Sequence, residues 1–267
     1  MDHNKSLSLS QAMTEVIGYT LQEDELKTFT LIGQHIYGID GRKIHEHKIT
    51  GKPLYSYQKF IETIYSAVYR GYAASSFHRD QIRNLEEKLK EVINKQISTD
   101  WKGGLGIGDT VKLDAHYHAF LFSFRATLDH FSHGLAISFG IDCNSFRRLG
   151  KALARETRSP AEEIIAICRS YNSKFNFAVS DVDSTSLRDR AAHYEYLKPV
   201  HVIVTKDGLR LAEAKEKNPN GDNFLILSEL MSARLLSLNA FIEEAYKAII
   251  KANWPYCDPR YQPTKNL

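Results

Sequence analysis

Six large apolar side chains, Tyr117, Leu121, Phe124, Leu128, Phe131 and Leu135, follow one another in steps of four and three residues. Steps of that size keep side chains on one stripe of a helix, whereas a strand would send neighbours to opposite faces. A stripe this wide and this apolar is stable in water only when other helices cover it. The spacing therefore predicts a helix over 112–139 and a bundle built around it.

The rest of the chain supplies candidate partners. Residues 7–38 read as one or two short helices, with Gly33 and Gly38 as breakers. Residues 39–55 read as a turn-rich connector. Phe60, Ile61, Ile64, Tyr65 and Val68 recur at helical spacing between Ser56 and Gly71. A further helix is expected from Ser75 to Ile97, with Ile82, Leu85, Leu89, Val92 and Ile93 on one side. Its Lys and Arg residues from Arg79 to Lys95 are balanced by acids, as on a solvated helix face. Gly103–Gly108 is a loop; it lacks the Lys-Ser/Thr of a phosphate loop, so it reads as a connector.

Asn144–Ala154 predicts a short helix. Ser159-Pro160-Ala161-Glu162-Glu163 is a helix start: a capping serine, proline in the first turn, then acids at the positive end of the dipole. The period changes at His201–Leu211, where alternation around Asp207-Gly208 predicts a β-hairpin. A polar loop through Asn218-Pro219-Asn220-Gly221 leads to a last long helix, 227–252. The expected fold is all-α, a helical bundle with one small hairpin near 201–212. It divides into an N-terminal helical region (1–110), a main bundle (111–253) and an irregular tail (254–267).

Composition excludes several classes. Hydrophobic residues make up 43% and charged residues 25% of the 267 positions, as in a soluble globular protein. No run approaches the roughly 18 apolar residues of a membrane span. The N-terminal Ser/Leu alternation is too short and polar for a signal peptide. Cys143, Cys168 and Cys257 are odd in number and far apart, which argues for a reducing compartment and against a thiolate zinc site. The expected location is the cytoplasm. A net charge of +3 permits an anionic partner without demanding one.

The chemistry-bearing stretch is Leu187-Arg188-Asp189-Arg190-Ala191-Ala192-His193-Tyr194. Arginine is a permanent cation whose planar fork fits a phosphate. Histidine exchanges a proton near neutral pH. Together they are a minimal kit for breaking a phosphodiester bond without a metal.

An Arg, a polar residue, three further residues and a His, set in an all-α bundle, resemble the signature of the HEPN superfamily. Arg188, Asp189 and His193 occupy those positions. The resemblance implies a dimeric helical bundle and a metal-independent endoribonuclease, as in toxins and antiviral-defence proteins. It implies no cofactor. It further implies RNA as substrate, a second copy of the chain as partner, a cognate antitoxin or defence component, and no membrane. Where one toxin branch of the family has a tyrosine two residues after the histidine, this chain has Glu195, flanked by Tyr194 and Tyr196. The alternative expectation is a non-catalytic bundle that binds a nucleotide, RNA or a protein.

In that chemistry His193 serves as general base or acid, Arg188 holds the phosphate, and Asp189 orients His193 or a partner's arginine. Residues five apart on an ideal helix point about 140° from each other. Arg188 and His193 thus converge only if Arg188 starts its helix or if a second subunit completes the site. Supporting roles fall to Arg125, Asp129 and Tyr194. Arg125, Asp129 and His133, at i, i+4 and i+8, form a stripe that either lines the cleft or is an intrahelical pair on a solvated flank. Arg147, Arg148, Lys151 and Arg155 have few acids near them and form a candidate RNA-backbone surface. Two His-x-His pairs, His45/His47 and His116/His118, lack a supporting ligand pattern, and no metal is expected. Acyl transfer has no support, since no Gly-x-Ser-x-Gly occurs.

Overall fold

A computed structural model describes residues 18–38, 59–60, 62–96, 109–156, 160–180, 185–186, 188–189, 200–205, 208–213 and 226–251. Six α-helices fall in these residues: α1 (Glu23–Gly38), α2 (Tyr69–Gln96), α3 (Val111–Ser138), α4 (Phe146–Leu153), α5 (Pro160–Asn172) and α6 (Leu227–Lys251). The fold is all-α, with one antiparallel hairpin of β1 (Val200–Thr205) and β2 (Gly208–Glu213). The 39–55 connector, the His45/His47 pair, the Gly103–Gly108 loop, the 218–221 loop and the tail from 254 lie outside the described residues.

Helix α3 is the axis, as its spacing predicts. Tyr117, Leu121, Phe124, Leu128, Phe131 and Leu135 are all fully buried. Helix α2 packs along it most extensively, and α6 lies against α1, α2 and α5. One hydrophobic cluster runs from Leu21 to Ile249, so helices on both sides of residue 110 share a core. At its centre is an aromatic knot in which Phe241 meets Phe131, Phe146 and Phe175 edge-on at 5.3–5.6 Å between centroids. Edge-to-face contact sets the positive ring edge against the negative face.

Two elements differ from the sequence expectation. In place of separate helices broken near Gly71, a π-helical segment (Thr63–Val68) runs directly into α2. Gly71 lies inside because α3 approaches closely there: a Cβ at this position would sit 2.5 Å from Thr127 Oγ1. The contact is small and polar, since Ser75 Oγ also donates to Ser123 Oγ at 3.0 Å across the same helix pair. Likewise α1 is one 16-residue helix that contains Gly33 rather than breaking at it.

The ends of α3 and α4 bring the candidate site together. Helix α3 stops in a Schellman motif: Gly140 takes φ +66, Ile141 N donates to Ala136 O at 3.0 Å, and Gly140 N donates to Ile137 O at 2.8 Å. The chain then turns back so that α4 begins beside the middle of α3. The hairpin closes with Thr205 paired to Gly208, and β2 lies against α2 and α6. No helix among the described residues is long and apolar enough to cross a membrane.

Candidate functional site

The Arg188 segment begins with a cap. Ser186 is buried, and its Oγ accepts a hydrogen bond from Asp189 N at 3.1 Å, the link from an N-cap to the third helical position. Arg188 and Asp189 are helical and fall in that first turn. Of the two geometries that let Arg188 meet a residue further on, Arg188 thus has the one at a helix start. Ser180 fixes the cap from below: its Oγ accepts from Ser186 N at 2.9 Å and donates to Asp189 Oδ2.

Arg188 and Asp189 form a half-buried ion pair, Nη1 to Oδ1 at 2.7 Å. Burial pushes the Asp189 carboxyl upward, but hydrogen bonds from Ser180 and Arg188, with the charges of Arg188 and Arg125, outweigh it and hold the group below the usual carboxylate range. Asp189 is therefore an acceptor at neutral pH, suited to orienting a donor rather than to releasing a proton. The guanidinium of Arg188 stands over the ring of Phe122, 5.0 Å from carbon to centroid. Phe122 is 39% exposed, in contrast to the fully buried seam residues of this helix. The Nε of Arg188 is buried with no hydrogen-bond partner among the described residues.

Arg125 and Asp129 serve the frame of this site. Arg125 Nε donates to Asp129 Oδ2 at 2.7 Å, one turn along α3. Its other nitrogens reach Ala178 O at 3.3 Å and Ser145 Oγ at 3.2 Å. Asp129 Oδ1 accepts from Phe146 N at 2.9 Å and so caps α4, for which Ser145 makes no side-chain cap. His133 extends the stripe, its Nδ1 lying 3.0 Å from Cys143 O. The three residues pin the segments 143–146 and 178 to α3. Arg125 nonetheless lies close enough to Asp189 to lower its carboxyl, so the frame and the Arg188 pair share one electrostatic neighbourhood.

His193 and Tyr194 lie outside the described residues. The structure thus brings together Arg188, Asp189, Arg125 and Asp129. Arg147, Arg148, Lys151 and Arg155 are exposed on α4 and its exit. Arg148, Lys151 and Arg155 line a cavity of about 730 Å³ with Asp142, Glu156 and Cys143, whereas Arg147 is not among its lining residues. Cations at i, i+3 and i+7 share one helix flank, which is why these three meet. The same connector, 141–145, walls this cavity and holds the frame of the Arg188 site.

The His-x-His reading resolves into two unrelated histidines. His116 faces α2, its Nδ1 3.2 Å from Nδ1 of His78. Burial, then the neighbouring His116, holds the His78 imidazole below its ordinary value. His118 makes no such pair among the described residues, where its Nε2 is buried without a partner. Among the described residues no three potential ligands cluster as a metal site. Phe122 and Ser180 were not foreseen: Phe122 breaks the seam's pattern only by being an aromatic beside it, and Ser180 carries no spacing signal toward Arg188. The polar run 181–186 ahead of Arg188 does read as a turn and helix cap, and Ser186 is its capping residue.

No protein-family model matches the chain, and neither does any curated protein or any solved structure.

Proposed function

We propose that the chain is a HEPN-like, metal-independent endoribonuclease that works as a homodimer, in a toxin–antitoxin or antiviral-defence setting. The observation that carries this reading is the placement of Arg188 in a serine-capped first turn. Its carboxylate partner is fixed beside it, and an exposed aromatic ring lies under its guanidinium. A cation so placed suits the charge that builds on phosphorus during cleavage. Asp189, held ionised by Ser180 and Arg188, orients a histidine or a second arginine. The cavity beside Arg148, Lys151 and Arg155 then takes the RNA backbone away from the cut.

In this chemistry the substrate's 2′-oxygen attacks the adjacent phosphorus, and His193 moves one of the two protons. One proton leaves the 2′-hydroxyl and one arrives on the departing 5′-oxygen, so the products are a 2′,3′-cyclic phosphate and a 5′-hydroxyl. Arg188 neutralises the added charge. The second proton-transfer group comes from the other protomer, whose motif faces the same cleft. Incubating the protein with structured RNA in EDTA tests the proposal. Cleavage leaving cyclic phosphate ends supports it. Binding without cleavage supports instead the non-catalytic RNA-binding module, for which the basic cavity alone is sufficient.

A further inference from the structure

Helices α2 and α3 meet along a stripe of small and polar side chains. Gly71 lies against Thr127, Ser75 Oγ donates to Ser123 Oγ at 3.0 Å, and one turn further along α2 His78 meets His116. The hydroxyls of this stripe keep their charge state at any physiological pH, whereas the two histidines do not. Both imidazoles are half-buried, and their Nδ1 atoms lie 3.2 Å apart. The ring centroids are 5.5 Å apart, which is that gap extended by one ring radius at each end. The two Nδ1 atoms therefore point at each other.

Two nitrogens so aimed can hold one proton between them and no more. With both rings neutral, one carries its proton on Nδ1 and donates, while the other carries it on Nε2 and accepts. One added proton keeps this bond and strengthens it with a charge. A second makes both Nδ1 atoms donors, leaves no acceptor between them and sets two cations at contact distance. The surrounding charges give no relief. On α2, Arg79 is paired with Glu25 and Asp80, and Asp80 also with Tyr19 and Arg83. On α3, Asp114 accepts from Thr110 Oγ1, and Lys112, one turn before His116, adds a cation on the same side. From the segment that leads into α1, Tyr19 reaches Phe77, whose ring stands edge-on to His78 at 5.2 Å. Burial, then His116, works against a proton on His78.

We propose that His78 and His116 form a clasp between α2 and α3 that closes on one shared proton and opens in acid, when the second proton arrives and the first turns of α3 part from α2. Tyr117, Phe120 and Leu121 stay buried elsewhere around α3, so the opening is local. Phe122, the ring under Arg188, follows within two turns on the same helix, so the part of α3 that loosens borders the candidate site. The clasp requires no part of the nuclease reading.

The test uses the full chain and two readouts. Long-range proton–nitrogen correlation spectra of the protein labelled at histidine report each ring's tautomer, with His78→Gln and His116→Gln assigning the two signals. At pH 7.5 one of the pair carries its proton on Nδ1 and the other on Nε2. As pH falls the two titrate as a coupled pair, in separate steps. Amide hydrogen exchange, corrected for intrinsic rates, is the second readout. Protection in 72–82 and 111–122 falls by up to about tenfold from pH 6.5 to 5.5, because one extra proton weighs at most tenfold per pH unit. Protection in 160–172, on α5, stays level. In either glutamine variant the acid-induced loss disappears, since the amide meets a neutral or a charged imidazole equally well.

The same tautomer on both rings at pH 7.5, or two independent titrations at the ordinary value, overturns the clasp. So does protection in 72–82 and 111–122 that is unchanged by acid in wild type. A loss that persists in both glutamine variants, or that spreads equally over 160–172, assigns the acid response to other groups and overturns it as well. The spectra of the wild-type protein decide the tautomers whether or not the variants fold.

Discussion

Replacing Gly71 by alanine presses directly on the helix pair that organises the bundle. The new methyl would lie 2.5 Å from Thr127 Oγ1, and 3.4 Å from Thr127 Cβ. A carbon and an oxygen at van der Waals contact need well over 3 Å, so something must move. Thr127 is fully buried, and its hydroxyl donates to Ser123 O at 2.7 Å. Rotating it away breaks that bond and drives a methyl into the core, while separating the helices loosens the seam. Overpacking of this kind costs about 1–3 kcal/mol. Alanine returns about 1 kcal/mol through its higher helix propensity. The net prediction is a loss of up to about 2 kcal/mol, or a fall of up to roughly 8 °C at 2–4 °C per kcal/mol. Gly134 is the control, because its Cβ would meet Ile64 and Thr63 side-chain carbons at an ordinary 3.5 Å. Gly134→Ala should be neutral or raise stability by up to about 1 kcal/mol. Guanidinium unfolding of both variants, and of Gly71→Ala with Thr127→Ala, provides the assay. The pair should show coupling, because Thr127→Ala removes the clashing oxygen. A Gly71→Ala protein as stable as Gly134→Ala would refute the close approach.

Other consequences follow from the site and its frame. Asp129→Ala removes both the Arg125 partner and the α4 cap, and should cost about 2–3 kcal/mol, with Asp129→Asn costing less because its Oδ1 can still cap Phe146 N; equal losses in thermal melting would count against the cap. His78 is held below its usual value of 6.5, so the unfolded chain takes up that proton first as pH falls. Its contribution to stability is present above about pH 6.5 and is lost below it. Unfolding free energies at pH 7.5 and 5.5 should differ less in His78→Gln than in wild type, and an unchanged difference would exclude the pair as the cause. Arg148→Ala, Lys151→Ala and Arg155→Ala should each weaken RNA binding across sequences and flatten its dependence on salt by about one phosphate's worth; a salt slope that stays the same would remove the cavity from the RNA path.

Much of the fold was legible because it rests on period. The seam from Tyr117 to Leu135, the proline start of α5 and the Asp-Gly hairpin each state their structure in local terms, and each lies within a residue or two of its expected place. Gly71 and Gly33 were misleading for one reason: glycine near a helix can mean a break or a close neighbour, and only the neighbour decides. The site was legible in part. Arg188 and Asp189 could be named from their motif and a cap from the polar run 181–186 before them, but the Ser180 tether depends on a turn whose geometry no spacing encodes. Arg125 and Asp129 were visible as a pair, yet their work is tertiary, holding segments 17 to 53 residues away. His116 and His118, two residues apart, diverge by about 200° on a helix, which is why they do not act as a pair: His116 meets His78.

The most direct test is cleavage of a structured RNA in EDTA by the wild-type chain and by folded Arg188→Ala and His193→Ala variants. Wild type should cut and leave 2′,3′-cyclic phosphate ends, while both variants keep the wild-type melting temperature within a few degrees and lose cleavage by at least about a hundredfold. Undiminished cutting by a folded Arg188→Ala or His193→Ala protein, or no cutting by wild type on any RNA, would contradict the assignment of Arg188 and His193 as its reactive pair.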